Sequence, residues 1–234
     1  MTIAIVLSGG TGSRVGAVVP KQYIEVNGMP VILYCIETLD ESEKIDQIQI
    51  VAEAEWQDRI MDWLDAFGLD AKILGFSEPG ETRQGSILNA LKDICDVAED
   101  DDYVFIHDAA RPLLSLDLIR ETVDGIKGYD GVIPVLPMKD TVYLSKDGQS
   151  ISSLLERSEV FAGQAPEMFV YGEYCKANKV LEDSGRIRAI NGSTEPAVLA
   201  GMKIHMIDGD ERNFKITTQA DLERFVEIVK QDEQ

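Results

Sequence analysis

Long apolar runs are missing from this sequence. No stretch approaches the roughly 20 consecutive apolar residues that a membrane helix needs, so no membrane span is expected. The first apolar run, Ile3 to Leu7, is too short for a signal peptide and has no basic segment before it, which predicts a cytoplasmic protein. Cysteine is sparse: Cys35, Cys95 and Cys175 lie far apart, form no CxxC pair and are odd in number. Neither a disulfide framework nor a zinc site is suggested, and a reducing compartment fits. Bases are scarce too, with 22 Lys and Arg against 42 Asp and Glu and a formal net charge of −20. Such a chain lacks the basic face that nucleic acid or an anionic membrane requires, so neither is an expected partner. A few clustered bases are still enough for a small anionic ligand. The two histidines, His107 and His205, have no metal partners at ligand spacing and read as structural.

What is present is ordinary for a globular chain: 44% hydrophobic and 27% charged residues over 234 positions. Strand-like apolar runs alternate with helix-period segments. Strands are predicted at Ile3 to Leu7, Gln47 to Ala52, Lys72 to Leu74, Tyr103 to Ile106 and Gly131 to Leu136. Helices are predicted at Val31 to Leu39, Trp56 to Phe67 and Thr82 to Val97, and after a Ser115 cap. This βαβα order predicts an α/β, Rossmann-like fold, a mostly parallel twisted sheet with helices on both faces. The rhythm breaks between about 138 and 164. Two strand-like pieces flank Lys146-Asp147-Gly148 there, and the segment reads as an inserted β-arm outside the main sheet. A helix over Glu173 to Glu182, a strand over Lys203 to Ile207 and a helix over Thr218 to Val229 complete one domain spanning residues 1–234.

Parallel sheets bind ligands at the carboxyl ends of their strands. The loop after the first strand carries Gly9, Gly10, Gly12, Arg14 and Gly16, then Pro20-Lys21-Gln22. The glycine spacing is not the dinucleotide fingerprint, and Pro20 interrupts before a helix can start; a P-loop motif is absent. A third reading remains, a wide loop whose amides line a phosphate chain that Arg14 and Lys21 neutralise.

This loop resembles the nucleotide-binding signature of sugar- and polyol-phosphate nucleotidyltransferases. Three further motifs, Glu81 to Leu91 (ETRQGSILNAL), His107 to Leu114 (HDAARPLL) and Phe214 to Leu222 (FKITTQADL), narrow the resemblance to the polyol-phosphate cytidylyltransferases. That family includes enzymes acting on 2-C-methyl-D-erythritol 4-phosphate and on ribitol 5-phosphate. The resemblance implies attack of a polyol phosphate on the α-phosphorus of CTP, with release of pyrophosphate. It implies Arg14, Lys21 and Lys215 as catalytic cations. Nucleotide contacts would come from Ser8, Gly9, Gly10, Gly12, Arg14, Lys21, Gly80, Glu81, Arg83, Ser86 and Asp108. Asp108 would hold Mg²⁺, the implied cofactor. Acceptor contacts would come from Ala109, Arg111, Asp140, Thr141, Arg157 and Lys215, with Arg157 reaching a second subunit's site in a homodimer formed through the arm.

The match thins toward the acceptor. Ala165-Pro166-Glu167 stands where relatives usually carry Thr-Pro-Gln, and Asn191-Gly192 where they carry Thr-Asp. An acid at Glu167 is unwelcome beside a phosphate and is expected to bind hydroxyls instead; Ser193 or Thr194 is a candidate for a lost hydroxyl. The methylerythritol phosphate is the first expectation for the acceptor, with ribitol phosphate or another alditol phosphate such as glycerol phosphate as the alternative. A dehydrogenase and a binding module without an acceptor site are the rival classes.

Overall fold

The computed structural model describes residues 1–10, 19–190 and 192–232. The predicted strands and helices occur in the expected order, with further short elements between them that the pattern did not predict. The first is β1 (Thr2–Leu7), then a short hairpin of β2 (Glu25–Val26) and β3 (Met29–Pro30), and α1 (Val31–Glu41). Next come β4 (Gln47–Val51), α2 (Ala54–Phe67), β5 (Ile73–Ser77), α3 (Arg83–Asp93), β6 (Tyr103–Asp108), α4 (Leu116–Gly125) and β7 (Gly131–Pro137). The arm holds β8 (Tyr143–Leu144) and β9 (Ser153–Leu154), and the chain returns through β10 (Phe161–Gly163) and β11 (Glu167–Val170). It finishes with α5 (Tyr171–Asp183), α6 (Thr194–Leu199), β12 (Ile204–Asp208) and α7 (Gln219–Asp232).

β1 sits between β6 and β4, parallel to both, and β5 extends the sheet beyond β4. On the other side β11 enters antiparallel between β6 and β7, and β12 runs parallel to β7. The sheet is thus mostly parallel, with β10 and β11 reversed. A strand buried on both faces must be apolar throughout, and β1 shows the consequence of its period of two. Ala4 and Val6 pack with Ile32, Leu33, Ile60 and Ile119 from α1, α2 and α4. Ile3 and Ile5 pack on the opposite face with Ile87, Leu91 and Tyr174 from α3 and α5. Truncating Ile5, fully buried in that layer, to Ala is expected to cost about 2–5 kcal/mol.

Some boundaries differ from expectation. β6 runs on to Asp108, which places that carboxylate as the last residue of the strand. α3 stops at Asp93 rather than near 97, with the Ile94 amide donating to the Ala90 carbonyl and the Cys95 amide to the Lys92 carbonyl. The arm is shorter than the span 138–164: β10 joins the main sheet, antiparallel to β7. Within the arm β8 pairs with β9, and the connection is not a tight turn. It is a wide loop organised by the Asp147 carboxylate, which accepts from the amides of Gln149 and Ser150 and from the Ser145 and Ser150 hydroxyls.

Candidate active site

At the carboxyl end of β1 the chain leaves the sheet through Ser8, Gly9 and Gly10. The Ser8 amide and hydroxyl both donate to the Val51 carbonyl, at 2.9 and 2.7 Å. Behind this turn lies a single helical turn, Lys21–Tyr23, set by Pro20. The Gln22 side-chain amide donates to the Ser8 carbonyl and, at 2.7 Å, to the Gly10 carbonyl. The Tyr23 hydroxyl lies 3.1 Å from Ser8 Oγ, and its ring stacks on Trp56 with centroids 4.3 Å apart. Gln22 and Tyr23 therefore pin the loop from behind while Lys21 faces the cleft.

The opposite wall is the amino end of α3. Thr82 caps it, accepting from the Gly85 amide at 3.0 Å, and Ser86 Oγ accepts from the Gly80 amide at 3.0 Å. A side chain at Gly80 would collide with the backbone of Gly85, so only glycine lets the loop lie this close to the helix. Unpaired amides at a helix start favour an anion.

Asp108 closes the inner end. Three cations meet its carboxylate: Arg83 Nε at 3.1 Å, Lys215 Nζ at 3.0 Å and Arg111 Nε at 3.5 Å. Burial alone would raise this carboxyl, but Arg83, Lys215 and Arg111 overcome it and hold it far below the usual carboxylate range. Arg111 also donates to the Asn213 carbonyl at 2.6 Å, which ties the β6 loop to the segment carrying Lys215. His107 is fully buried with Nε2 on the Arg111 carbonyl, and burial lowers it to about 4, so it is neutral and structural. His205 stacks on Tyr129 at the far side of the sheet.

Of the expected residues, Ser8, Gly9, Gly10, Lys21, Gly80, Glu81, Arg83, Ser86, Asp108 and Lys215 all line one cleft of about 500 Å³. Arg14 and Gly12 lie outside the described residues. Ala109 is fully buried in the core, and Ala110 lines the cleft in its place. Arg111 braces the loop from outside the cleft lining. Asp140, Thr141 and Arg157 stay on the arm, none lines the cleft, and Arg157 donates to the Lys139 carbonyl. Glu167 does bind hydroxyls, but they belong to Ser193 and Thr194 of the same chain, and the group is buried. Asn191 is outside the described residues. Neither Gln22 nor Tyr23 was given a role by the sequence pattern, although Gln22 belongs to the Pro-Lys-Gln motif. A second groove of about 570 Å³ is lined by Glu37, Asp117, Glu121, Asp208, Asp210 and Asp232 against one Arg212, a charge balance that repels phosphate.

Among the described residues no group of three His, Cys, Asp or Glu side chains is arranged to hold a metal by itself. Magnesium does not need one, since it commonly keeps waters and takes one carboxylate plus substrate phosphates. An ionised carboxylate on the cleft wall fits that donor set, with Asp108 as the residue that would hold the ion.

A glycine loop and a capped helix face each other across a carboxylate ringed by cations, which suits a nucleoside triphosphate. A sequence profile of 2-C-methyl-D-erythritol 4-phosphate cytidylyltransferase matches residues 2–231. The chain belongs to this family. It is accordingly a cytidylyltransferase, within the nucleotidyltransferases. The 2-C-methyl-D-erythritol 4-phosphate cytidylyltransferase of Clostridium beijerinckii is 34% identical to it over 223 residues, 95% of each chain. The ribitol-5-phosphate cytidylyltransferase of Streptococcus agalactiae serotype V is 31% identical over 229 residues, covering 96% of this chain and 93% of that one. Among solved structures, 4-diphosphocytidyl-2C-methyl-D-erythritol synthase from Anaerococcus prevotii superposes with a TM-score of 0.82 at 25% identity, over 98% of this chain and 96% of that one. The Francisella tularensis enzyme, at 24% identity and a TM-score of 0.80 over 96% and 97%, shares the fold.

Proposed function

We propose that this cytidylyltransferase joins CTP to 2-C-methyl-D-erythritol 4-phosphate in the cleft between the β1 loop and α3. An acceptor phosphate oxygen forms a bond to the α-phosphorus, the bond from that phosphorus to the bridging oxygen breaks, and pyrophosphate leaves. Two anions must approach and negative charge spreads over the α-phosphate oxygens, so positioning and fixed cations carry the rate. The observation supporting this reading is that Lys21 and Lys215, 194 positions apart, line one cleft beside Asp108. Lys21 and Lys215 act on the α-phosphate, Arg14 on the triphosphate, and the Ser8 and Gly80 loops read the base by backbone groups. Mg²⁺ on Asp108 would supply charge neutralisation of the phosphates.

Acceptor binding is assigned to Arg111, Lys215 and, from a second subunit, Thr141 and Arg157 with Asp140. The arm exposes Tyr143, Leu144, Ile151 and Leu154, which a two-stranded ribbon cannot bury alone, and pairing of two arms in a homodimer would cover them. No helix of the described chain is long and apolar enough to cross a membrane, and the proposed setting is the cytoplasm. Ribitol 5-phosphate is the second reading, favoured by the altered 165–167 and 191–192 segments and by the 31% identical relative. Incubation with CTP, Mg²⁺ and a panel of polyol phosphates, with pyrophosphate release as the readout, tests both. Turnover with ribitol 5-phosphate alone would replace the first acceptor by the second; release with none would remove the assignment.

A further inference from the structure

Arg83 is shared between two carboxylates. Its Nε donates to Asp108 Oδ1 at 3.1 Å and its Nη1 to Ser193 Oγ at 2.6 Å, while Nη2 stands 3.5 Å from Glu167 Oε2. Glu167 is 8% exposed and accepts from both Ser193 Oγ and Thr194 Oγ1. Asp108 and Arg83 line the cleft and Glu167 does not. The second carboxylate therefore offers no oxygen to a ligand, yet it opposes the charge of a guanidinium that faces one. Burial pushes the Glu167 carboxyl above its usual range and Asp108 adds to this, while the Arg83 guanidinium and the Ser193 and Thr194 hydroxyls favour its ionised form. Ionised against Arg83, Glu167 joins Asp108 against three positive groups, Arg83, Arg111 and Lys215, and removes half of the excess that Asp108 alone would leave.

We infer that Glu167 is a positioning residue whose charge, acting through Arg83, limits how tightly the cleft holds polyphosphate and so lets pyrophosphate leave. This rests on the cytidylyl-transfer reading above. CTP and pyrophosphate both carry several negative charges and meet the same cations. Uniformly stronger binding of such groups lowers KM without raising kcat, and it retains product. A carboxylate behind the guanidinium weakens the field without competing for the phosphates' own contacts. Ser193 and Thr194 hold it there by hydrogen bonds rather than by a further cation, which would cancel the effect.

Glu167→Gln keeps the shape and removes the charge. Calorimetric titration is expected to show CTP and pyrophosphate binding roughly three- to tenfold more tightly to E167Q, the scale of one charge acting through a partly screened interior. Binding of uncharged cytidine should not change, and kcat should fall as KM for CTP falls. Ser193→Ala is the control, because it loosens both Arg83 and Glu167 while leaving the charge. It should bind CTP no more tightly than the unsubstituted protein. If E167Q binds pyrophosphate no more tightly, or follows S193A in weakening CTP, Glu167 is only a brace and the inference is overturned. Absence of CTP binding by the unsubstituted protein would remove the cytidylyl reading itself, whereas equal pyrophosphate affinities in a protein that turns CTP over remove this inference alone.

Discussion

Lys215 Nζ lies 3.0 Å from Asp108 Oδ2, although 107 positions separate them in the chain. The contact joins the end of a central strand to the loop between β12 and α7, and it makes the carboxylate a hub for three cations.

Replacing Asp108 by Asn leaves those cations facing a neutral amide. We expect a loss of about 1–3 kcal/mol of stability from their lost partner. Turnover should fall at least 100-fold, the scale of one preorganised charged group. The Mg²⁺ concentration for half-maximal activity should rise, because a hard charged ligand becomes neutral. A magnesium titration with the same midpoint in D108N and the unsubstituted enzyme would take Asp108 out of the metal's shell.

Lys21→Ala and Lys215→Ala should each reduce kcat by roughly 10²–10³-fold with the fold intact. Steady-state rates at saturating CTP and acceptor, alongside thermal melts, provide the check. A variant that keeps half its activity has lost no contact to the reacting phosphate.

His107 ties stability to pH. Burial lowers it from 6.5 to about 4, so the unfolded chain binds the proton that the folded one refuses. Stability is then complete above the unfolded value and declines as pH falls toward the folded one. Between pH 7 and pH 5 the loss attributable to this residue is about 2 kcal/mol. Urea midpoints measured at both pH values should show that slope in the native protein and a flatter one in His107→Gln. Equal slopes would mean another group carries the dependence.

The arm is testable by mixing. Arg157→Ala and Lys21→Ala proteins, each nearly inactive, should regain activity when subunits exchange, since a mixed dimer has one site with both defects and one with neither. Random exchange makes about half the dimers mixed and restores about a quarter of wild-type sites, given a two-fold assembly. Proven exchange without recovery, or a monomer by light scattering, would confine each site to one chain.

The order of strands and helices was legible because both faces of the sheet are covered, which leaves long apolar strands between amphipathic helices. β11 was not. Its four residues follow Pro166 directly, Met168 and Phe169 are both fully buried, and no alternation survives when a strand is enclosed on both sides. The β2–β3 hairpin did carry a signal in Asn27-Gly28, whose positive φ values of 51° and 79° are what that dipeptide favours in a tight turn. The cleft was readable from its motifs, each of which sits at a strand end or helix start. Glu167 was visible as an oddity but its direction was not, because only the fold brings Ser193 and Thr194 around it.

Tyr23, whose hydroxyl reaches Ser8, has the chain's two tryptophans beside it, with ring centroids 4.3 Å away for Trp56 and 6.1 Å for Trp63. All indole emission therefore originates within one aromatic contact of the glycine loop, and the arm contains no indole at all. Arg59, stacked over both rings at 5.5 and 5.0 Å, adds a polar neighbour to which their spectrum responds. Excitation at the red edge of the absorption band, where indole absorbs and tyrosine does not, thus reads one end of the sheet, so a stopped-flow trace follows events at the loop while Tyr143 and the rest of the arm stay dark.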